Sequence, residues 1–154
     1  MKTVPLKPGV VRCISLWQPW ASLMACGAKH METRSWDTKV RGEIYIHASQ
    51  TKIPIREWIR TMPNWWICQV EIALEVGVED WLEKLPFMAL VGTGELLSTL
   101  PATGVELVNA FPDQAPFGDF TPGRFVHRYY NLQKIEPVAL KGRQGFFFAP
   151  NPHL

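Results

Sequence analysis

No stretch of this chain approaches the ~20 uninterrupted apolar residues that a membrane-crossing helix needs, although 47% of its residues are hydrophobic. The opening Met1-Lys2-Thr3-Val4-Pro5 lacks the apolar run of a secretory signal, and the expected location is cytoplasmic. Cysteine is scarce. Cys13, Cys26 and Cys68 are an odd number without paired spacing, and the four histidines supply no neighbouring metal ligands. That spacing argues against a disulfide framework and a structural zinc site. The cysteines read as small buried hydrophobes, and no metal or cofactor is expected. Positive charge is also missing from one region: residues 61–119 carry a single Lys/Arg (Lys84) against nine acids.

What is present is arranged in blocks. Residues 1–60 carry ten Lys/Arg against four Asp/Glu, and residues 120–154 carry five against one. If the two ends meet in space, they make a basic region apart from an acidic one. Such a field suits a phosphate-bearing partner, although a charge block is also an ordinary solvated face. At 154 residues the expectation is one domain over 1–154. Thirteen prolines and eleven glycines cut the chain into short elements, favouring a mixed α+β fold or barrel over a bundle.

Val10 to Leu16 reads as a strand. Trp20, Leu23 and Met24 fall at i, i+3 and i+4, with Pro19 at the start and Gly27 at the end, so 18–26 reads as a short helix. Lys29 to Trp36 reads as extended, with His30, Glu32, Arg34 and Trp36 on one face. A strand over 43–48 follows, its Ile44, Ile46 and Ala48 inward and its Tyr45 and His47 outward. Two amphipathic helices are expected near Ile55–Met62 and Val78–Leu85, with residues 65–76 open between strand and helix. Met88–Leu97 reads as a buried strand whose Gly92 and Gly94 permit close backbone approach. Residues 101–123 read as a Pro/Gly-rich acidic loop, long enough to suspect a function. Three closing strands are expected at 124–130, 134–140 and 145–149.

The segments Ser15-Leu16-Trp17-Gln18-Pro19-Trp20-Ala21 and Gly27-Ala28-Lys29-His30-Met31-Glu32-Thr33-Arg34 resemble the ASCH domain family. Its diagnostic glycine, lysine, glutamate and arginine stand here as Gly27, Lys29, Glu32 and Arg34. Ser35-Trp36, Arg41-Gly42, Ile46-His47-Ala48-Ser49, Gly92 to Leu97, Phe117 to Arg124 and Lys141 to Gly145 extend the likeness in order over about 12–148. The resemblance implies an α+β, PUA-like β-barrel of five or six mostly antiparallel strands with helices packed outside. Residues 53–87 look like a helical insertion. It also implies a cleft between the first helix and the barrel, and work on RNA or nucleotides. One branch deacylates N4-acetylcytidine using a lysine, a threonine three residues later and a distant glutamate. Lys29 keeps that lysine, but Glu32 stands in place of the threonine, so that activity does not transfer directly.

Lys29, partly desolvated, would serve as a phosphate contact, base or nucleophile, or else is an ordinary turn lysine. Glu32 and Arg34 share a strand face. Arg34's planar fork suits a phosphate or base edge, while the pair equally suits a structural ion network. His47, with Lys52 near, would do acid–base work, or simply be a hydrogen-bonded strand histidine. Glu95, on the glycine-bearing strand, completes a candidate catalytic set of Lys29, Glu32, His47 and Glu95. Trp17, Trp36 and Phe120 are candidates to stack on unpaired bases, with Gln18, Arg124, Lys141 and Arg143 as further polar contacts. Trp20 reads as core, and Trp58, Trp65, Trp66 and Trp81 as packing within the insertion. The leading expectation is an RNA- or nucleotide-binding domain acting on single-stranded RNA, a nucleotide or a nucleoside through a basic cleft. Two alternatives stand beside it: a small metal-independent hydrolase of RNA or modified nucleosides, and a protein-interaction module using residues 53–87.

Overall fold

A computed structural model describes residues 8–49 and 52–154. Six strands form one mixed sheet: β1 (Val10–Trp17), β2 (Met31–Arg34), β3 (Gly42–Ser49), β4 (Ala89–Pro101), β5 (Phe125–Ala139) and β6 (Phe146–Pro150), in the order β2-β5-β4-β3-β1-β6. β1 and β3 run parallel; the other four pairings are antiparallel. Among the described residues five α-helices accompany them: α1 (Trp20–Ala25), α2 (Lys52–Ile59), α3 (Asn64–Leu74), α4 (Trp81–Lys84) and α5 (Val105–Ala110). No helix of the described residues is long and apolar enough to cross a membrane.

The α+β class and the six strands are as expected, but the sheet does not close into a barrel. Its edges are β2 and β6. They approach through side chains instead of a ladder. Arg34 Nη2 on β2 donates to the Ser15 carbonyl on β1 at 2.9 Å. Trp36 stands edge-on to Phe146 of β6 at 5.7 Å, and His127 of β5 stacks parallel to Phe146 at 6.5 Å. The unclosed seam between these edges is where a cleft opens.

Ile14, Leu16, Ile44, Ile46 and Leu96 pack under α1 in the largest core cluster. Gly92 allows that approach, since a Cβ there would come 2.9 Å from Ala25 Cβ and 2.8 Å from the Gln133 carbonyl. A second cluster joins Leu23 of α1 to the helices α2–α4. Trp20, Trp58, Trp66 and Trp81 lie against one another there, with ring centroids 5.0–6.5 Å apart. These are the tilted and edge-to-face contacts that aromatic quadrupoles favour.

Several local readings are corrected. The span 124–140 carries one long strand, β5, not two; its register slips against β4 at three places, and Asn131 takes a positive φ within it. Bulges therefore bend the strand where a turn was expected. Residues 64–74 are helical, burying Trp66, Ile67 and Val70 on one stripe. The acidic segment 101–123 contains α5 and a 3₁₀ turn over Ala115–Phe117. Both faces of β3 are covered, so Tyr45 and His47 are buried instead of pointing away.

Candidate functional site

The turn from α1 into β2 delivers Lys29, and the structure surrounds it. Gln114, fully buried, holds the turn: its Oε1 accepts the N–H groups of His30 (2.8 Å) and Met31 (3.2 Å), and its Nε2 donates to Ala28 O at 3.0 Å. Lys29 is 1% exposed. Its ammonium donates to the carbonyls of Met31 (2.8 Å) and Phe117, lies 3.4 Å from Glu32 Oε1, and sits 5.4 Å from the Trp20 ring centre. An ammonium has three donors, and all three are engaged. Burial pulls the Lys29 pKa down, opposed by the Glu32 carboxylate.

Glu32 lies between two cations. Its Oε2 is 3.0 Å from Arg34 Nη2, and its Oε1 also accepts the Thr33 N–H at 3.1 Å. Burial pushes its pKa up, but Lys29 and Arg34 together outweigh that and hold the carboxyl below its ordinary value. Arg34 spends Nη2 on Glu32 and Ser15 O, and its guanidinium carbon lies 5.8 Å from the Trp36 ring centre. Its Nε and Nη1 have no hydrogen-bond partner among the described residues.

Arg34 and Glu32 border a cavity of about 410 Å³ walled by Ser15, Trp17, Trp20, Trp36 and Gln144. Trp17 is 57% exposed and Trp36 36%. A smaller neighbour of about 290 Å³ shares Ser15, Trp17, Ser49 and Gln144 with it and adds His47, Met88 and Arg143.

His47 is fully buried between these walls. Its Nε2 lies 2.6 Å from Leu140 O and its Nδ1 3.0 Å from Ser15 Oγ. A carbonyl only accepts, so Nε2 carries the proton and Nδ1 accepts the serine hydroxyl. Burial lowers the His47 pKa and so favours this neutral form, an effect partly offset by the Leu140 carbonyl. Gly142 lies against the ring: a Cβ there would overlap the imidazole. The histidine thus fastens the Lys141–Gly145 turn over the seam.

The other sequence candidates divide. Phe120 is buried with Met31, Leu107 and Val126 and offers no face to a guest. Gln18 is buried, donating to Pro86 O at 2.7 Å and accepting the Ser22 N–H at 3.0 Å, which makes it an anchor for α1. Arg124 ties Asp119 O to Thr33 O. Glu95 is outside the cleft, accepting from Asn131 Nδ2 at 3.2 Å. Lys141 and Arg143 are exposed. Lys52 opens α2, and its side chain is outside the described residues. Sequence reasoning missed Ser15, whose role comes from register with His47 across the parallel pair. It missed Gln114 as well, which comes from a loop 83–86 residues away from the groups it holds.

The model of the ASCH domain matches residues 14–138. This chain belongs to the ASCH domain family. Among curated proteins, activating signal cointegrator 1 of Homo sapiens is 50% identical over 40 residues, 26% of this chain and 7% of that protein. The Mus musculus protein is 51% identical over 37 residues, 24% and 6% respectively. The chain therefore matches only a small part of those relatives. Among solved structures, the ASCH protein of Zymomonas mobilis superposes with a TM-score of 0.55 at 14% identity, covering 90% of this chain and 86% of that one. A serine-to-alanine variant of that protein gives 0.53 at 15%, covering 90% and 87%. These structures share the PUA-like ASCH fold, within which Gly27, Lys29, Glu32 and Arg34 line the turn and edge strand beside the seam.

Proposed function

We propose that this ASCH domain binds single-stranded RNA or a nucleotide in the cleft between β1, α1 and β2. The observation that carries the reading is Arg34. Glu32 and the Ser15 carbonyl fix its Nη2, while Nε and Nη1 remain for a guest in a cavity walled by exposed Trp17 and Trp36. A planar cationic fork beside open aromatic faces suits a phosphate and the unpaired base attached to it. Lys29 acts here as scaffold, since its donors are all engaged; Lys141 and Arg143 supply the outer positive charge. Affinity for a short single-stranded RNA should fall linearly with the logarithm of salt concentration. Absence of binding at low salt, or undiminished binding by an Arg34→Ala/Lys141→Ala/Arg143→Ala variant, would sink the reading.

A second reading, hydrolysis of an acylated nucleoside, is favoured by the Ser15–His47–Leu140 arrangement, whose serine lines both cavities and whose histidine lines the smaller. In that reaction Ser15 Oγ bonds to the acyl carbon and its proton passes to His47 Nδ1. The imidazolium, steadied by Leu140 O, returns the proton to the departing nitrogen, and water then cleaves the acyl-serine. Turnover of N-acylated cytidine that survives Ser15→Ala would rule this chemistry out, whatever the binding result.

A further inference from the structure

A third cavity, of about 570 Å³, opens on the far side of Trp20 and shares Trp20, Glu32 and Thr33 with the Arg34 cavity. We propose that it is a second base-binding subsite, so that the guest is a strand of at least two nucleotides instead of a single nucleotide. The proposal rests on the RNA reading above and specifies its ligand.

Three observations carry it. The first is continuity. The two hollows share the wall made by Trp20, Glu32 and Thr33, so a strand held at Arg34 has that one wall to pass to reach the second hollow. The second is Trp65. It is the second residue of α3 and 58% exposed, whereas Trp58, Trp66 and Trp81 are engaged in the helical cluster. Its indole lines the cavity with Met62, Pro63 and Pro116 and takes no part in the aromatic contacts that hold the helices together. An exposed indole beside an apolar slot is a stacking platform for a base.

The third is charge. Among the described residues the one cation lining this cavity, Lys29, has its three donors spent, and the other charged groups on the wall are the carboxylates of Glu32 and Asp119. A phosphate would meet like charge there. An uncharged ring with N–H donors at its edge would meet an apolar wall and two acceptors. The phosphate therefore belongs on the Arg34 side and the neighbouring base on the Trp65 side, which divides one dinucleotide between the two cavities.

The test compares a nucleoside monophosphate with the matching dinucleotide and a hexamer, by titration calorimetry on the wild-type chain and Trp65→Ala. Circular dichroism and melting temperature serve to establish that the variant is folded. The wild type should bind the dinucleotide about 5- to 150-fold more tightly than the monophosphate. Trp65→Ala should abolish that gain and leave monophosphate affinity unchanged. Equal affinity for both lengths, or a variant that weakens both alike, would overturn this proposal while leaving the Arg34 site standing. Failure of all three ligands to bind ends both readings. Quenching of Trp65 by an apolar peptide, with no response to the dinucleotide, would assign the surface to a protein partner instead.

Discussion

Replacing Glu32 by glutamine should destabilise the fold strongly and in a pH-dependent way. The substitution keeps the side-chain volume and one oxygen acceptor for the Thr33 N–H, but removes the charge that balances Lys29. Lys29 is 1% exposed, and no other carboxylate lies within salt-bridge distance of it among the described residues. Breaking a buried pair by deleting one partner costs ~3–5 kcal/mol, because the remaining charge is left desolvated. The Glu32 side chain retains 12% exposure, which places the expectation at the low end, ~3 kcal/mol. For a domain of this length that corresponds to a fall of about 10 °C in melting temperature. The sign of the pH dependence follows from the two shifts. Glu32's folded pKa is depressed, so its contribution is complete above the unfolded carboxylate's ~4.3 and disappears as pH falls through the folded value. Lys29's folded pKa is depressed too. On the alkaline side the folded chain therefore loses that proton before the unfolded chain does, and the need for a counter-charge goes with it. The gap between wild type and variant should be widest on the plateau between these titrations and narrow at both ends. In the variant, Lys29 lacks the carboxylate that raised its pKa, so the alkaline narrowing begins earlier. Urea unfolding across about pH 3 to about pH 10 measures this. A gap under ~1 kcal/mol, the range of exposed pairs, or a gap independent of pH would refute the reasoning.

Three further outcomes are expected. Arg34→Ala should lower the slope of log affinity against log salt for single-stranded RNA by about 1, the signature of one lost phosphate contact. Gly142→Ala should cost ~1–3 kcal/mol in denaturant unfolding, because the added methyl group overlaps the His47 ring, which is pinned at both nitrogens. A thiol reagent at mildly alkaline pH should modify Cys26 and Cys68 quickly and reach Cys13 only on unfolding. The first two are exposed; Cys13 is buried, and burial pushes its thiol up to about 12.

Much of the fold was legible where local periodicity and tertiary packing agree. β1, α1, β3, β4 and β6 lie close to their expected positions because each has one dominant buried face or a continuous apolar run. The failures share a cause. His47 and Tyr45 alternate with Ile44 and Ile46, and alternation implies one solvated face. Here the second face is covered by a separate cluster containing Cys13, Leu90 and Phe147, which nothing within β3 announces. Phe120 misled in the same way, its partners Met31 and Val126 being supplied by other elements of the chain. A closed or nearly closed barrel was expected from the number of strands as well as from the resemblance. Closure depends on whether β2 and β6 hydrogen-bond, and no strand's own sequence encodes that. Lys29, Glu32 and Arg34 stand together at the seam, and their spacing in the sequence suggested that grouping but not which contacts each makes. Which ammonium hydrogens are spent depends on Phe117 O, 88 residues along the chain.

Three charged side chains at this seam are an odd way to gain stability, since well-packed apolar residues of the same volume often do as well or better than a buried ion pair. Their arrangement accounts for them differently. Lys29 draws the Ala115–Phe117 turn toward β2 through Phe117 O, and Arg34 reaches across the open seam to Ser15 O. Glu32 holds both cations at fixed separations of 3.4 and 3.0 Å. Apolar side chains would fill the space but set no distance between the edges, and hydrophobic contact would pull the seam shut. Directional bonds keep the edges apart and leave two nitrogens of one guanidinium without a partner among the described residues. Stability and binding should therefore separate on mutation: Glu32→Gln loses mainly the first, and Arg34→Lys, which keeps the charge but lacks the fork, loses mainly the second.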